Sequence, residues 1–255
     1  MKIISVTNRK GGVGKTTTAI NIATAMAAIG KKVALFDLDP QGNATTSLGI
    51  NKKDIEYSSY DVLINDADIQ SALQKTLVPE FFIVPATADL AAAEIELINK
   101  EKREWILKNA LKNLEGKFDY ILIDCPPSLN LLTVNALVAS DSVIVPLQCE
   151  FLALEGLTDL IKNIERVRKS FNQNLKIQGI VLTMFDRRNN LSFMVENDVR
   201  AYFGDLVYQT VIPRSVRISE APSHGKPIMI YDFKSVGAQS YISLAKEVLT
   251  REGEI

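Results

Sequence analysis

The sequence predicts an α/β protein, with residues 1–255 folding as one domain around a single doubly wound, mostly parallel sheet with helices on both faces. Three observations carry that expectation. Short apolar runs alternate with stretches of helical periodicity, a glycine-rich loop joins the first run to the first helix, and no repeat, low-complexity tract or Pro/Gly linker divides the chain. Runs that are apolar at successive positions fit strands covered on both faces, the condition of a parallel sheet. Right-handed crossovers then follow, and ligands gather at the carboxyl edge of the strands.

The elements read as follows. Residues 3–7, Ile-Ile-Ser-Val-Thr, form the first strand, and the helix after the glycine loop covers 16–29. Further apolar runs of strand length lie at 33–36, 81–84, 120–123, 142–147 and 177–184. Between them, helical patterns cover 88–98, 101–114, 130–139, 152–171 and 192–203. A final helix over 236–250 places Tyr241, Leu244, Ala245, Val248 and Leu249 on one face, which packs on the sheet.

Composition narrows the function classes. With 255 residues and 47% apolar content, the chain can bury a full core. No apolar run approaches the ~20 residues that span a bilayer, and the opening strand lacks a signal-peptide layout, so the expected location is the cytoplasm. Cys125 and Cys149 are far apart and outside any Cys-x-x-Cys pattern, and read as small buried hydrophobes rather than a disulfide. His224 is the only histidine, which removes histidine-based triads and multi-histidine metal sites. A magnesium ion held by oxygen ligands remains open. Net charge is −1, unevenly spread: residues 1–159 carry 15 basic and 20 acidic side chains, residues 160–234 carry 12 and 7. A basic C-terminal half suggests a surface for nucleic acid.

The chemistry starts at Lys10-Gly-Gly-Val-Gly-Lys-Thr-Thr-Thr18. Gly11, Gly12 and Gly14 let the backbone curl around Val13 so that successive N–H groups converge, while Lys15, Thr16 and Thr17 open a helix at its positive end. Such a cradle suits a nucleoside triphosphate, ATP or its product ADP. Lys15 reaches the β and γ phosphates, and the Thr16 hydroxyl completes a Mg²⁺ shell. The strict pattern wants glycine where Arg9 stands, and a second lysine, Lys10, opens the run. Lys10 is either a solvated charge or the partner of a second phosphate group.

Strand ends supply carboxylates at the same edge. The second strand runs into Asp37-Leu-Asp39-Pro40, and the strand Phe-Asp-Tyr-Ile-Leu-Ile ends in Asp124-Cys-Pro-Pro127. Asp124 at the tip of an apolar strand suits an ion or its bound water. Asp37 and Asp39, two apart, share a face, one supporting the metal and the other nearer the attacking water. Asp39 can also be read as a turn cap before Pro40.

The run Lys10 to Thr17 closely resembles the deviant phosphate-loop motif of the ParA/MinD class of ATPases. The segment Phe36-Asp-Leu-Asp-Pro-Gln-Gly-Asn-Ala-Thr45 resembles a second signature of that class. The C-terminal half, Leu-Thr-Met-Phe-Asp-Arg-Arg-Asn-Asn-Leu-Ser at 182–192 and Ile-Pro-Arg-Ser-Val-Arg-Ile-Ser-Glu-Ala-Pro-Ser-His-Gly-Lys-Pro-Ile-Met-Ile-Tyr-Asp at 212–232, is similar to the chromosomal ParA/Soj branch. The resemblance covers essentially the whole chain. It implies that Lys10 crosses a dimer interface to the partner's nucleotide and that Asp39 positions the hydrolytic water. It further implies an ATP-dependent homodimer that binds double-stranded DNA without sequence preference through Arg188 and Arg217, with Arg187, Arg200, Arg214 and Lys226 as additional phosphate contacts. Pro213 and Arg214 would lie beside the adenine, with Met184 packing there too. Glu150 would touch ribose or the dimer partner, or merely open a helix. A ParB-like centromere-binding partner and nucleoid association complete what the family implies. Each basic residue has the alternative of being an ordinary solvated charge.

Three other classes fit less well. A MinD-like membrane-associated ATPase needs a terminal amphipathic helix with basic and bulky apolar faces, whereas this chain ends Ala-Lys-Glu-Val-Leu-Thr-Arg-Glu-Gly-Glu-Ile. An iron–sulfur ATPase needs cluster thiolates, and Cys125 follows Asp124 while Cys149 stands alone. A small-molecule kinase or ligase, such as a dethiobiotin synthetase relative, would want a substrate pocket in place of the basic segments.

Overall fold

The computed structural model describes every residue except Leu152 and Ile255. Seven strands form one sheet: β1 Lys2–Val6, β2 Val33–Asp37, β3 Gln74–Lys75, β4 Phe81–Val84, β5 Tyr120–Asp124, β6 Ser142–Gln148 and β7 Lys176–Thr183. Their spatial order is β3-β4-β2-β5-β1-β6-β7. All pairings are parallel except that of the short β3 with β4. The chain steps outward from β1 to β2 and β4 on one side, returns to insert β5, then continues to β6 and β7 on the other. That reversal puts the tips of β1, β2 and β5 side by side.

The central strands are buried at nearly every position, successive side chains entering opposite faces, as a sheet covered on both faces requires. Ile4, Val6, Leu35, Ile83, Leu122 and Ile144 face helix Lys15–Ala28 and helix Val236–Arg251. Ala34, Phe36, Ile121 and Ile123 face the other way, against Leu90, Leu107, Leu132 and Ala136. Beyond them, Val143, Val145, Ile180 and Leu182 pack under helix Ala153–Ser170 and helix Asn190–Phe203. In the final helix Tyr241, Leu244, Ala245, Val248 and Leu249 are all buried, as the sequence pattern predicts. No helix among the described residues is long and apolar enough to cross a membrane. Both cysteines are free and buried, and burial pushes each thiol up to about 12.

Several boundaries differ from expectation. The helix expected over 101–114 is broken: Lys102 takes a left-handed conformation at φ 50°, so regular α-helix spans only Ile106–Leu111 between two 3₁₀ turns. The first residue of the helix expected over 152–171 lies outside the described residues. The helix over 192–203 begins earlier, at Asn190, because the Asn189 side chain accepts from Leu191 N and caps it. Short helices at Asn43–Ser47, Ser59–Ile64, Ile69–Ala72, Val216–Glu220 and Ile228–Tyr231 escape the periodicity, as does β3. Ser59–Ile64 carried a readable signal, since Ser58 and Asp61 close a capping box.

Candidate functional site

The glycine loop leaves β1 at its carboxyl end and enters helix Lys15–Ala28 with Gly12 at φ 75° and Gly14 at φ 88°. Both values suit glycine, and Gly14 stands at the N-cap. Side chains outside the motif set the loop's shape. Asn8 accepts from Lys10 N at 3.0 Å and donates to the Pro146 carbonyl at 2.7 Å, and Thr183 donates to the Val13 carbonyl at 2.8 Å. Neither residue is visible as functional in the sequence, although an Asn three residues before a glycine run is a turn signal.

The two lysines part company. Lys15 is 6% exposed, and its ammonium donates to the Lys10 carbonyl at 2.8 Å. Burial lowers its pKa, opposed by the nearby Asp124, Cys125 and Asp39. Lys10 turns outward, its side chain 57% exposed, and forms an ion pair with Glu150 across the mouth of the loop. Around this pair runs a cavity of about 470 Å³ lined among others by Asn8, Arg9, Leu147 and the exposed Phe151.

The three carboxylates differ in their partners. Asp37 and Asp124 are direct neighbours across β2 and β5, and Val6 of β1 is the opposite neighbour of Asp124. Asp37 is fully buried, accepting from Thr45 N at 2.8 Å, Thr45 Oγ1 at 2.7 Å and Asp39 N at 3.3 Å. Burial raises its pKa to about 6, against the pull of those bonds. Asp39 accepts one bond, from Gln41 N at 3.0 Å. Asp124 is fully buried with neither oxygen hydrogen-bonded. Burial and the Asp37 charge push its carboxyl up, while Thr16 works against them. A buried carboxylate with two orphaned oxygens beside a threonine hydroxyl is a donor set that fits Mg²⁺. Asp37, expected to support the metal, has both oxygens accepting hydrogen bonds from Asp39 and Thr45.

The adenine candidates come together. Phe185 pairs with Pro213 as a parallel bridge, Arg214 N donates to the Phe185 carbonyl at 3.0 Å, and Met184 between β7 and Phe185 holds a left-handed φ of 50°. The same stitching carries Arg187 and Arg188 next to the segment bearing Arg214 and Arg217. All four are exposed. Arg188 grips Asp186 through Nε at 3.0 Å and Nη2 at 2.9 Å, holding that carboxyl down at about 2. Arg217 pairs with Glu220 at 3.2 Å and Asp232 at 3.6 Å. Arg200 is less exposed than Arg188 or Arg217 and is bonded to Glu196 at 2.9 Å and to the Gln209 carbonyl at 3.3 Å. Lys226 is exposed on the loop that abuts Gly49.

Loop, inward lysine and strand-end acids define a phosphate-loop nucleotide-binding α/β protein, and a family model described as an AAA domain matches residues 1–177. The chain is 56% identical over 254 residues to chromosome partitioning protein ParA of Caulobacter vibrioides, covering 99% of this chain and 95% of that protein. It is 56% identical over 247 residues to the sporulation initiation inhibitor protein Soj of Bacillus subtilis, covering 97% and 98%. Among solved structures, cobyrinic acid a,c-diamide synthase from Mycobacterium smegmatis with bound ATP analog and magnesium superposes with a TM-score of 0.87 at 39% identity, covering 99% and 96%. The chain belongs to the ParA/Soj family of chromosome-partitioning proteins.

Proposed function

We propose that the chain is a slow DNA-segregation ATPase. ATP closes a sandwich homodimer that binds double-stranded DNA without sequence preference, and hydrolysis to ADP, stimulated by a ParB-like partner, releases it. The observation that carries the reading is the divergence of the two loop lysines. Lys15 is buried against its own loop, and Lys10 is half-exposed and directed away from it. Two ammonium groups so placed do not converge on one triphosphate, which supports the role the family resemblance gives Lys10, contact with the nucleotide of a second copy.

In this reading the N–H groups of Gly11 to Thr17 and the Lys15 ammonium hold the phosphates, while Met184, Pro213 and Arg214 border the base. Thr16 and Asp124 would hold Mg²⁺, which neutralises phosphate charge. Asp39 has one oxygen free of hydrogen bonds and orients the attacking water. Lys10 arriving in trans supplies a cation of the arginine-finger kind, a contribution on the order of 10³ to 10⁵ in rate. Hydrolysis is then conditional on pairing, and a lone protomer is nearly idle. Arg187, Arg188 and Arg217 donate to DNA phosphates, with Arg200 and Lys226 at the margin, and duplication of the patch in the dimer adds avidity. The protein would sit in the cytoplasm, on the nucleoid.

The test is a gel-shift series on arbitrary duplex DNA with no nucleotide, ADP or a slowly hydrolysed ATP analogue. Retention only with the analogue, falling steeply with salt, supports the reading. Arg217→Glu should dimerise normally and lose DNA. Equal retention in all three nucleotide states would refute it.

A further inference from the structure

We propose that Thr45 is a positioning residue for ATP hydrolysis, locking the backbone from which Asp39 projects. The proposal rests on the reading of Asp39 as the group that orients water. Thr45 is fully buried in the short helix Asn43–Ser47. Its N–H and its hydroxyl both donate to one oxygen of Asp37, at 2.8 and 2.7 Å. Its proton being given to Asp37, the same hydroxyl oxygen accepts the Ala86 N–H at 2.9 Å. One side chain therefore ties three pieces together: the tip of β2, the helix that follows the Asp39 turn, and the chain leaving β4.

Asp39 lies inside that closed ring. Its N–H is held by the other oxygen of Asp37 at 3.3 Å, and its carbonyl accepts Gly42 N at 2.8 Å. Gly42 itself packs so closely that a Cβ there would sit 2.9 Å from the Ala86 carbonyl. The turn is thus pressed against the residue that Thr45 grips. With both flanks of Asp39 fixed, only its side-chain torsions remain, and the Gln41 N–H selects one oxygen, leaving the other for the reaction.

Removing the hydroxyl does two things at once. It leaves the Ala86 N–H without its acceptor, and it takes one of three donors from Asp37. Asp37 keeps two backbone N–H donors, from Thr45 and Asp39, so Asp124, opposite it in the β2–β5 register, stays in place. Thr45 therefore holds Asp37 in the scaffold and leaves Asp124 to the ion.

Thr45→Val keeps the shape and removes the hydroxyl, while Thr45→Ser keeps the hydroxyl. In single-turnover cleavage of ATP by excess protein with duplex DNA present, Thr45→Val should lose about 10- to 100-fold in rate, the scale of a sub-ångström to 1 Å misplacement. ATP affinity and the Mg²⁺ concentration for half-maximal cleavage should stay at parental values, a split that general loosening of the fold would not give. Thr45→Ser should restore the parental rate. Should Thr45→Val melt too low to assay, Thr45→Cys, with a weaker donor and acceptor of similar shape, should fall between the parent and Asp39→Ala. Parental cleavage by Thr45→Val or Thr45→Cys, a shifted Mg²⁺ requirement, or failure of serine to rescue overturns the proposal. Asp39→Ala run alongside separates the two levels. If it cleaves normally, the reading of Asp39 fails; if it is inert while Thr45→Val is normal, only the role of Thr45 fails.

Discussion

Gly225→Ala probes how the loop after helix Asn43–Ser47 is braced against the basic C-terminal segment. Gly225 has φ 62°, and a Cβ there would lie 2.8 Å from Gly49 Cα and 3.2 Å from Gly49 N. Those are backbone atoms of a residue that is itself left-handed at φ 77°, so no flexible side chain can yield. Gly116 is the control: φ 74°, with nothing within 4 Å of its Cβ position. A left-handed alanine costs roughly 1–2 kcal/mol, which should be the whole effect of Gly116→Ala. Overpacking adds about 1–3 kcal/mol, so Gly225→Ala should lose roughly 2–5 kcal/mol. Urea unfolding without nucleotide, at one protein concentration, reads the difference without contributions from ligand or dimer. Equal losses would refute the idea that the two loops bear on each other. Gly49 follows the helix that carries Thr45, so Gly225→Ala should also slow hydrolysis at unchanged nucleotide affinity, and Gly116→Ala should not.

Two further outcomes follow from the site. Lys15→Ala should weaken ATP binding by about 100-fold by calorimetry, the upper range for hydrogen bonds to a charged group, and retained affinity would refute the assignment of the inward lysine. Asp186, held near 2 by Arg188, should titrate at about 2 by carboxyl NMR and rise in Arg188→Ala, stopping short of the ordinary carboxylate value because the residue-188 N–H bond and the Arg214 charge remain. The sign is that of a depressed acid: the pair's contribution is complete above the ordinary carboxylate pKa, and it is lost as pH falls through about 2, because the unfolded chain takes up its proton first. DNA that draws Arg188 away should raise the same titration, and an unmoved midpoint would show that Arg188 is not the phosphate contact.

What the sequence made legible is what local pattern encodes. Apolar runs located six of the seven strands, and the glycine spacing with Lys15 and Thr16 located the loop before any fold was known. What it hid depends on contacts distant in sequence. Glu150 meets Lys10 across 140 positions, Thr183 meets Val13 across 170, and Thr45 meets Ala86 across 41. None of these pairs leaves a periodic trace. The break at Lys102 is hidden for another reason, since a lysine at left-handed φ is uncommon and nothing adjacent announces it. Five of the escaped elements are helices of four to six residues, too short for a 3.6-residue period to register.

The three strand-end acids show how packing divides a labour that sequence leaves undivided. Asp37, Asp39 and Asp124 read alike: a carboxylate where an apolar strand ends. In the folded chain they accept three, one and no hydrogen bonds respectively. A buried carboxylate must find donors or a cation, or carry a proton. Asp37 has found its donors within the chain and serves as scaffold. Asp124 has found none, and the outside group that would also suit the neighbouring Thr16 and a polyphosphate is a hard divalent cation. Asp39 stands between the two, one oxygen fixed and one open, which is the arrangement for a group that must be aimed and still accept a bond from water. On the proposed reading, donor count, rather than residue type or spacing, is therefore the physical quantity that separates scaffold, ion ligand and water-orienting acid at this edge of the sheet.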